Sequence, residues 1–329
     1  MPQPPDIFTE YAGFMKTRII LTAAELDFFT LLDEKPLTAE ELAQRLKADA
    51  RAATRILDCL VIFELLNKKN GRYALTEQGS FFSSRHPESV LPMLLHMNNM
   101  WDNWARLTET IRKGENPSLK SVIDAKDEGI TRAFIGAMHV IGRGLSREIA
   151  SSYDLSRFKQ LLDLGGGSGT YSIAILERNP NMTAVIFDLP DVISLAVERL
   201  KDEGFLERVT LVAGDFYKDE LPAGCDLALL SAIIHQNSPQ ENRALYKKIY
   251  RALEPGGVLL IRDHVMDESR TRPPAGALFA INMLVCTSGG DTYTFNEIRD
   301  TLEQADFKEV QQVRSGERMD CLVEARKPR

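Results

Sequence analysis

The sequence predicts an α/β protein in which a mainly α-helical N-terminal domain precedes a doubly wound parallel sheet that ends in a hairpin. From residue 158 onward, helical segments alternate with the short β-rich runs QLLDL, TAVIFDL, RVTLVAGD, DLALLSAII and GVLLIRD. That alternation is typical of a parallel sheet with helices on both faces. The last two extended runs, FKEVQQVRS and DCLVEARK, are joined by SGERM and predict the hairpin.

The first 85 residues carry the pattern of a winged helix, in which two helices are followed by a hairpin. Thr38 stands three residues before Glu41 at the start of TAEELAQRLKA, an arrangement that predicts a capping box. The next helix places an apolar row on one face, Ile56, Leu57, Leu60 and Phe63. In NKKNGRYALTEQG, Asn70 and Gly71 predict the turn of the hairpin.

This winged helix admits two interpretations. In the first it binds DNA, and the side chains available to phosphates are Arg51, Arg55, Lys68, Lys69 and Arg72. In the second it is a packing or dimerisation module, since one fold serves many purposes. The chain carries a formal net charge of −7, and an α/β domain follows the winged helix. Both observations favour the second interpretation, because a nucleic-acid binder needs a basic face.

Composition indicates an ordinary globular protein. Of its 329 residues, 44% are hydrophobic and 26% are charged. No apolar run approaches the roughly 18 residues of a membrane span, and MPQPPDIFTEYAGF lacks the basic and apolar regions of a signal peptide, so we expect a cytoplasmic protein. The cysteines have no CxxC spacing, which predicts reduced, buried thiols and no metal site at Cys59, Cys225, Cys286 and Cys321.

Residues 86 to 155 are predicted to be helical throughout and to connect the two domains. Apolar and aromatic side chains recur in MLLHMNNMWDNWARL and in TRAFIGAMHVIG. Such stripes usually belong to a core, although Met-rich and aromatic surfaces also suit a flat apolar ligand. The residues open to both interpretations are Met97, Met100, Trp101, Trp104, Phe134 and Met138.

The stretch LLDLGGGSGTYSIAI predicts a ligand-binding turn between a strand and a helix. The strand contains Asp163, and glycines follow at Gly165, Gly166, Gly167 and Gly169. Glycine at these positions lets the backbone approach a ligand closely. A dinucleotide fingerprint would need glycine in place of Thr170, so the spacing is GxGxG rather than GxGxxG.

The next two strands also end in acids. TAVIFDL ends at Asp188, which is suited to ribose hydroxyls, and RVTLVAGD ends at Asp215, followed by Phe216 as an apolar wall for adenine. A single acid would more often be a helix cap. Three acids in register favour a cationic adenosyl ligand such as S-adenosylmethionine, because Asp163 would repel the pyrophosphate of a dinucleotide.

Together these motifs resemble the plant caffeate-type and bacterial O-methyltransferase family, which includes hydroxyindole and antibiotic-tailoring methyltransferases. The resemblance covers nearly the whole chain, including WxxLxxxIRxGENP from Trp104, FxxxM at Phe134, the glycine stretch, FDLPDVI, GDF, IIHQNSPQENRALYKKIYRALEPGGVLLIRD and GGDTYTFNEIRDTLEQADF. It implies a winged-helix dimerisation domain at 1–85, a helical connector at 86–155 that contributes to the acceptor pocket, and a Rossmann-like class I methyltransferase domain at 156–329.

The family resemblance also assigns ligand positions. The expected cofactor is S-adenosylmethionine, leaving as S-adenosylhomocysteine, without a metal. The cofactor-binding positions are Asp163, Gly165, Gly167, Asp188, Leu189, Asp215, Phe216 and Ser231. The acceptor-pocket positions are Met100, Trp101, Phe134, Met138, Met283 and Thr287. The expected partners are a small aromatic acceptor and a second copy of the chain, with no membrane and no nucleic acid.

The predicted catalytic base is His235, which follows the fourth strand and stands at the family's catalytic histidine position. Methyl transfer is an in-line displacement, so the protein must position the acceptor and remove its proton. Asp263, which ends the fifth strand, matches a carboxylate that orients this histidine. The remaining histidines, His86, His96, His139 and His264, are assigned structural or pocket-lining roles.

The chain departs from the family pattern around the base. Gln236 and Asn237 replace an Asp-Trp pair, Thr292 occupies the position of a second carboxylate, and Ser231 stands where plant members carry lysine. Three alternatives therefore stay open: methylation of carbon or nitrogen, a homologue that binds the cofactor without methylating, and a cofactor-sensing regulator built on the winged helix.

Overall fold

The computed structural model describes residues 12–121 and 127–329, and these divide into two compact units. The first unit contains residues 12–101 and 132–140, and the second contains 102–121, 127–131 and 141–329. Residues 1–11, most of the segment predicted to lack a targeting signal, lie outside the described residues. Residues 122–126 of the predicted connector do so as well.

The first unit is mainly helical and includes the predicted winged helix. Its elements are α1 (Gly13–Glu25), α2 (Phe28–Glu34), α3 (Ala39–Leu46), α4 (Ala50–Ile62), β1 (Leu66–Lys69), β2 (Arg72–Leu75), α5 (Glu77–Ser80) and most of α6 (Leu91–Ala105). The predicted capping box opens α3: Thr38 Oγ1 accepts a hydrogen bond from the Glu41 amide at 3.2 Å, and the Glu41 carboxylate accepts one from the Thr38 amide at 2.9 Å.

The predicted hairpin and apolar row are both confirmed. Lys69 pairs with Arg72, which leaves Asn70 and Gly71 as a two-residue turn with φ angles of 52° and 74°. Left-handed conformations at both positions match the twist of the strands. The apolar row of α4 packs into the core of this unit, with Leu57 and Leu60 fully buried.

Two of the five cations that could bind phosphates are held by carboxylates. Lys68 Nζ lies 2.7 Å from an oxygen of Asp58, and the guanidinium of Arg72 donates two hydrogen bonds to Glu41 at 2.8 and 2.9 Å. These pairs neutralise much of the basic surface of the hairpin. The contacts therefore favour the packing interpretation of the winged helix.

The connecting region is less helical than predicted. Its helices are α6, α7 (Leu107–Lys113) and α8 (Glu128–Ser152), whereas residues 86–90 and 114–121 form turns and irregular structure. Gly114 ends α7 in the left-handed conformation, with φ of 80°. The buried Asn116 then donates a hydrogen bond from Nδ2 to the Val285 carbonyl at 2.8 Å, which fixes this segment in a non-helical path.

The second unit contains the predicted sheet. Its strands are β3 (Gln160–Leu164), β4 (Thr183–Asp188), β5 (Val209–Ala213), β6 (Cys225–Ser231), β7 (Leu253–Asp263), β10 (Lys308–Arg314) and β11 (Cys321–Arg326), with β8 (Val265–Met266) and β9 (Tyr293–Thr294) forming a separate pair. The helices that follow α8 are α9 (Thr170–Arg178), α10 (Pro190–Asp202), α11 (Pro239–Ala252), α12 (Pro274–Cys286) and α13 (Phe295–Glu303).

The strand order is β10-β11-β7-β6-β3-β4-β5, and β11 runs antiparallel to both of its neighbours. The doubly wound parallel sheet with a terminal hairpin is thus confirmed. The chain moves outward in opposite directions from β3 and β6, so the crevice for ligands is expected where the carboxyl ends of these strands meet.

Alternate residues of each strand point to opposite faces of the sheet. One face packs against α8, α9 and α10 and is called the α9 face; the other packs against α11 and α13 and is called the α11 face. Continuing this alternation to the strand ends assigns four polar residues to the α9 face, Asp163, Asp188, Ser231 and Arg262. The same alternation assigns Asp263 to the α11 face.

Two further features concern the chain as a whole. No helix among the described residues is long and apolar enough to cross a membrane. The cysteines are free, and Cys225 and Cys321 are buried as predicted, whereas Cys59 and Cys286 are only partly buried.

Candidate active site

The glycine-rich loop, residues 165–169, links β3 to α9. Gly165, Gly167 and Gly169 all have positive φ angles, of 66°, 57° and 82°. A Cβ atom at Gly165 would lie 2.7 Å from Cδ1 of Ile233 and 3.5 Å from the ring of Phe216. Glycine is therefore needed both for the backbone conformation and for the space next to Phe216.

Asp188 joins the end of β4 to the glycine-rich loop. Its Oδ2 accepts a hydrogen bond from the Gly167 amide at 2.8 Å, and its Oδ1 accepts one from the Leu189 amide at 2.7 Å. The carboxyl group is 9% exposed, and burial raises its pKa although these two amides act in the opposite direction. Backbone hydrogen bonds also join Gly165 to Phe187 and Gly214 to Asp188, at 2.9 Å each. The ends of β3, β4 and β5 are thus tied together.

Asp163 is buried beneath the loop. Its Oδ2 accepts a hydrogen bond from the Ser172 hydroxyl at 2.7 Å, and a Cβ atom at Gly166 would lie 2.9 Å from its Cγ. Burial and the nearby charge of Asp188 together raise the pKa of Asp163 to about 6, although the Ser172 hydrogen bond and the charge of Arg262 act to lower it. Two buried carboxyl groups therefore share this face without an ion pair among the described residues.

The end of β5 presents Asp215 and Phe216. Burial alone would raise the pKa of Asp215, but Lys218, 2.7 Å from Oδ2, and the Tyr217 amide lower it. The Phe216 ring packs against Tyr217 with centroids 4.5 Å apart. Lys248 Nζ fixes this segment, since it donates to the Phe216 carbonyl at 2.9 Å.

These three strand ends fit a cationic adenosyl ligand. Carboxylate oxygens accept hydrogen bonds from ribose hydroxyls, an aromatic ring covers a base, and a loop of consecutive glycines lets a ligand lie against the backbone. Burial raises the pKa of both Asp163 and Asp188, and the charge of Arg262 offsets only part of this effect at Asp163. A cation supplied by the ligand would lower both.

His235 and Asp263 form a buried pair on the α11 side of the sheet. His235 lies in the short 3₁₀ turn Ile234–Gln236 after β6, and its Nδ1 is 2.9 Å from both oxygens of Asp263. Burial would raise the pKa of Asp263, but the charge and hydrogen bond of His235, with help from Arg262, lower it. The ionised carboxylate can only accept, so Nδ1 carries the hydrogen and Nε2 is left as the basic nitrogen.

Residues of α12 and the loop after it hold the His235 ring and backbone. The Phe279 ring meets the imidazole edge to face, with centroids 4.8 Å apart. The Asp291 amide donates to the His235 carbonyl at 2.9 Å. A Cβ atom at Gly290 would lie 2.4 Å from that carbonyl oxygen, so the loop can pass here only with glycine.

A neutral hydrogen-bond network supports the turn where the chain departs from the family pattern. The buried Asn237 accepts a hydrogen bond from the Tyr217 hydroxyl, and its Nδ2 donates to Asn242 Oδ1 at 3.0 Å. Asn242 Nδ2 donates in turn to the Ile234 carbonyl at 2.8 Å, and the Tyr293 hydroxyl donates to the Asn237 carbonyl. The sequence analysis missed this network, whose members are uncharged and far apart in the chain.

The second carboxylate of the family pattern has no counterpart at His235 among the described residues. Thr292 is buried, and its hydroxyl donates to the Gly276 carbonyl at 3.4 Å. The carboxylate of Asp291 is directed to Arg270, 3.4 Å away. Asp263 is therefore the carboxylate that orients His235.

Ser231 accepts a hydrogen bond from Arg262 Nε at 2.8 Å. The sequence analysis assigned Ser231 to the cofactor but missed Arg262, which is buried in the same sheet. A basic residue between the apolar run Leu259–Ile261 and Asp263 was the signal that could have identified it.

The predicted acceptor-pocket residues fall in both units. Met100, Trp101, Phe134 and Met138 belong to the first unit, where the Arg18 guanidinium lies 5.3 Å from the Trp101 ring. Met283 and Thr287 belong to the second, on and just after α12. The Thr287 hydroxyl donates to the Met283 carbonyl at 2.7 Å and accepts from the Gly290 amide at 2.9 Å, so it also shapes the loop next to His235.

Comparisons with known proteins agree with this architecture. Residues 104–308 match the O-methyltransferase domain family, and residues 10–85 match the O-methyltransferase dimerisation domain. The chain is 32% identical to the tetracenomycin polyketide synthesis 8-O-methyltransferase TcmO of Streptomyces glaucescens, covering 99% of this chain and 97% of that protein. It is also 32% identical to acetylserotonin O-methyltransferase of Gallus gallus, with 97% and 96% covered.

A solved structure shares the fold over the full length. Human N-acetylserotonin methyltransferase in complex with S-adenosylmethionine superposes with a TM-score of 0.85 at 27% identity, covering 100% of this chain and 99% of that one.

Proposed function

The chain belongs to the S-adenosylmethionine-dependent O-methyltransferase family, and on that premise we propose that it methylates a hydroxyl group of a small aromatic compound with His235 as the general base. The observation that carries this proposal is the buried His235–Asp263 pair at the carboxyl edge of the sheet, beside the crevice next to the glycine-rich loop. The relatives named above are an 8-O-methyltransferase of tetracenomycin polyketide synthesis and an acetylserotonin O-methyltransferase, which supports the choice of acceptor.

The cofactor binds at the ends of β3, β4 and β5 in this proposal. S-adenosylmethionine supplies an electrophilic methyl group on a sulfonium and leaves as S-adenosylhomocysteine. Asp188 accepts hydrogen bonds from the ribose, Asp215 and Phe216 contact the adenine, and Asp163 compensates positive charge. Gly165, Gly167 and Leu189 contribute backbone that lies against the ligand, and Ser231 completes the site. No metal is needed for this chemistry.

His235 removes the proton of the acceptor hydroxyl. Nε2 is the atom that takes the proton, because Nδ1 donates to Asp263. The imidazolium that forms is stabilised by the ionised Asp263, whose pKa is lowered by this same contact. The edge of Phe279 and the Asp291 amide keep the ring and its backbone in place while the proton moves.

The acceptor pocket and the oligomeric state also belong to the proposal. The acceptor-pocket positions proposed are Met100, Trp101, Phe134 and Met138 in the first unit and Met283 and Thr287 in the second, because apolar and aromatic side chains suit a flat ligand. Residues 1–85 form the dimerisation domain of a homodimer, 86–155 contribute to the acceptor pocket, and 156–329 bind the cofactor. Sedimentation that finds only monomers at micromolar concentration would remove the dimer.

The decisive experiment measures transfer of labelled methyl groups. Purified protein is incubated with methyl-labelled S-adenosylmethionine and a panel of phenols, indoles and naphthols, with His235→Ala in parallel. Binding of S-adenosylhomocysteine to both proteins is the control for folding. We expect label on an acceptor hydroxyl and a loss of about 100-fold or more in the variant.

Other outcomes would contradict parts of the proposal. Transfer that survives in His235→Ala indicates methylation of carbon or nitrogen, or an acceptor that is already ionised. Tight S-adenosylhomocysteine binding without transfer to any member of the panel favours a homologue that does not methylate, or a regulator. Binding to duplex DNA that weakens steeply with salt would support the regulator.

A further inference from the structure

Arg262 is a buried cation whose role the mechanism does not include. It lies on β7 with 4% of its surface exposed. Its Nε donates to Ser231 Oγ at 2.8 Å, its Nη1 donates to the Met319 carbonyl at 2.7 Å, and the guanidinium lies 4.8 Å from the Tyr171 ring. No carboxylate of residues 12–121 or 127–329 lies within ion-pair distance of it. Burying a guanidinium without a counter-charge is costly, so a partner is expected.

The register of the sheet brings this cation to the edge of the cofactor site. Leu164 pairs with Leu230, and Ser231 pairs with Arg262, so Gly165, Ser231 and Arg262 lie at one level across β3, β6 and β7. Ser231 and Arg262 point to the α9 face, as Asp163 and Asp188 do. Tyr171 lies in the first turn of α9, directly after the glycine-rich loop.

The polar groups around Arg262 are suited to an anion. The guanidinium and the hydroxyl of Ser231 both carry N–H or O–H donors. The hydroxyl of Tyr171 is buried and has no hydrogen-bond partner among the described residues. A planar guanidinium binds a carboxylate with two parallel hydrogen bonds, which makes arginine the usual partner of that group.

The α9 face contains buried acidic groups as well as this buried cation. Asp163, Asp188 and Arg262 form no ion pair among the described residues, although the charge of Arg262 lowers the pKa of Asp163 in part, and all three lie on the α9 face at the carboxyl ends of strands in one sheet. A ligand that carries an ammonium and a carboxylate close together would compensate both. The amino-acid tail of S-adenosylmethionine and of S-adenosylhomocysteine is such a zwitterion.

We propose that Arg262, with the hydroxyl groups of Ser231 and Tyr171, binds the carboxylate of the amino-acid tail of the cofactor. This inference rests on the proposed function and deepens it, because it assigns the end of the cofactor that the strand-end acids cannot hold. The competing explanation is a purely structural one, in which Arg262 only joins β6, β7 and the Met319 carbonyl.

Calorimetric titration with two ligands separates these explanations. The probes are S-adenosylhomocysteine and its decarboxylated analogue 5′-deoxy-5′-(3-aminopropylthio)adenosine, which keeps the ammonium and lacks only the carboxylate. We expect wild type to bind S-adenosylhomocysteine about 10- to 100-fold more tightly than the analogue, the range for a hydrogen-bonded charge pair. In Arg262→Met this preference falls to within about threefold, while affinity for the analogue changes little.

Two further variants test the same proposal independently if Arg262→Met folds poorly. Ser231→Ala and Tyr171→Phe each remove one hydroxyl, and each is expected to reduce the preference for the carboxylate about 3- to 10-fold. Arg314→Met is the matched control, since Arg314 lies in the same sheet but is already paired with Asp320 at 3.1 Å. It should leave the preference unchanged.

The outcomes distinguish this proposal from the proposed function. Equal affinity of wild type for both ligands would overturn the role of Arg262 and leave the methyltransferase proposal standing. Arg262→Met weakening both ligands by the same factor would also overturn it, because a structural residue affects both alike. Failure of wild type to bind either ligand would overturn both proposals together.

Discussion

On the α9 face of the sheet, Asp163, Asp188 and Arg262 are buried and form no ion pair within residues 12–121 and 127–329, whereas on the α11 face His235 and Asp263 form a pair. The pKa of Asp163 is raised to about 6 by burial, and that of Asp263 is lowered by His235 despite burial that is equally deep. Two aspartates at the carboxyl ends of strands in the same sheet therefore have pKa values shifted in opposite directions.

This difference shows which part of the site depends on its ligand. Charges on the α9 face are compensated only when a charged ligand binds. Their burial therefore destabilises the folded protein while it is ligand-free. The base on the α11 face has to be oriented and in the right tautomer before the acceptor arrives, so its partner is built into the protein. The four predictions below test this division, from the largest expected effect to the smallest.

Asp263→Asn should lower kcat by about 100- to 1,000-fold, because the amide can donate to Nδ1 and leave Nε2 with the hydrogen. Affinity for S-adenosylhomocysteine should stay within about twofold, since Asp263 lies on the other face from the cofactor acids. Asp291→Asn, which removes the same charge from a nearby loop, is the control and should retain activity. Loss of cofactor binding in Asp263→Asn would show that the two faces are not independent.

Gly290→Ala should lower kcat by about 10- to 100-fold, since a displacement of roughly 1 Å at a reacting group has an effect of this size. The added Cβ would lie 2.4 Å from the His235 carbonyl oxygen, so the turn that carries the base has to move. Gly144→Ala on α8 is the control, because its Cβ would meet nothing within 4 Å. Steady-state kinetics with saturating cofactor measure both variants, and an unchanged kcat for Gly290→Ala would contradict the rigid placement of His235.

Asp163→Asn and Asp263→Asn should change the free energy of unfolding in opposite directions at pH 7. The first removes a buried charge without a partner and should stabilise the ligand-free protein by about 1–3 kcal/mol. The second breaks a hydrogen-bonded ion pair and should destabilise it by a similar amount. Urea denaturation without ligand measures both, and equal signs would refute the comparison of the two faces.

The pH dependence of these two effects should differ as well. The pKa of Asp163 is raised in the folded protein. Because of this, the free energy of unfolding of wild type falls relative to that of Asp163→Asn as pH rises from about 4 to about 6. Above that pH the difference between the two proteins is constant. Because the folded pKa of Asp263 is lowered, its contribution is fully present above about pH 4 and is lost as pH falls further. Denaturation series between about pH 2 and pH 8 test both effects, and a difference in unfolding free energy between wild type and Asp163→Asn that does not change with pH would contradict the raised pKa.

Local patterns in the sequence were sufficient for most of the fold. The alternation of strands and helices, the capping box at Thr38, the turn at Asn70 and Gly71 and the glycine-rich loop depend on periodicity and on neighbours within a few residues. The connector shows the limit of such patterns. It was predicted to be helical throughout, although Gly114 and Pro117 are local signals for the end of a helix, and a hydrogen bond from Asn116 to Val285, 169 residues away, fixes the non-helical path.

The sequence by itself determined that three strands end in acids, that a histidine follows the fourth strand and that an aspartate ends the fifth. Only the tertiary structure decided their charge states, because a pKa depends on burial and on charges that the sheet brings together from distant segments. It joined His235 to Asp263 across 28 residues and buried Asp163 without an ion pair among the described residues. It also buried Arg262 beside Ser231, a contact that no local pattern encodes, since the two residues become neighbours only through the pairing of β6 with β7.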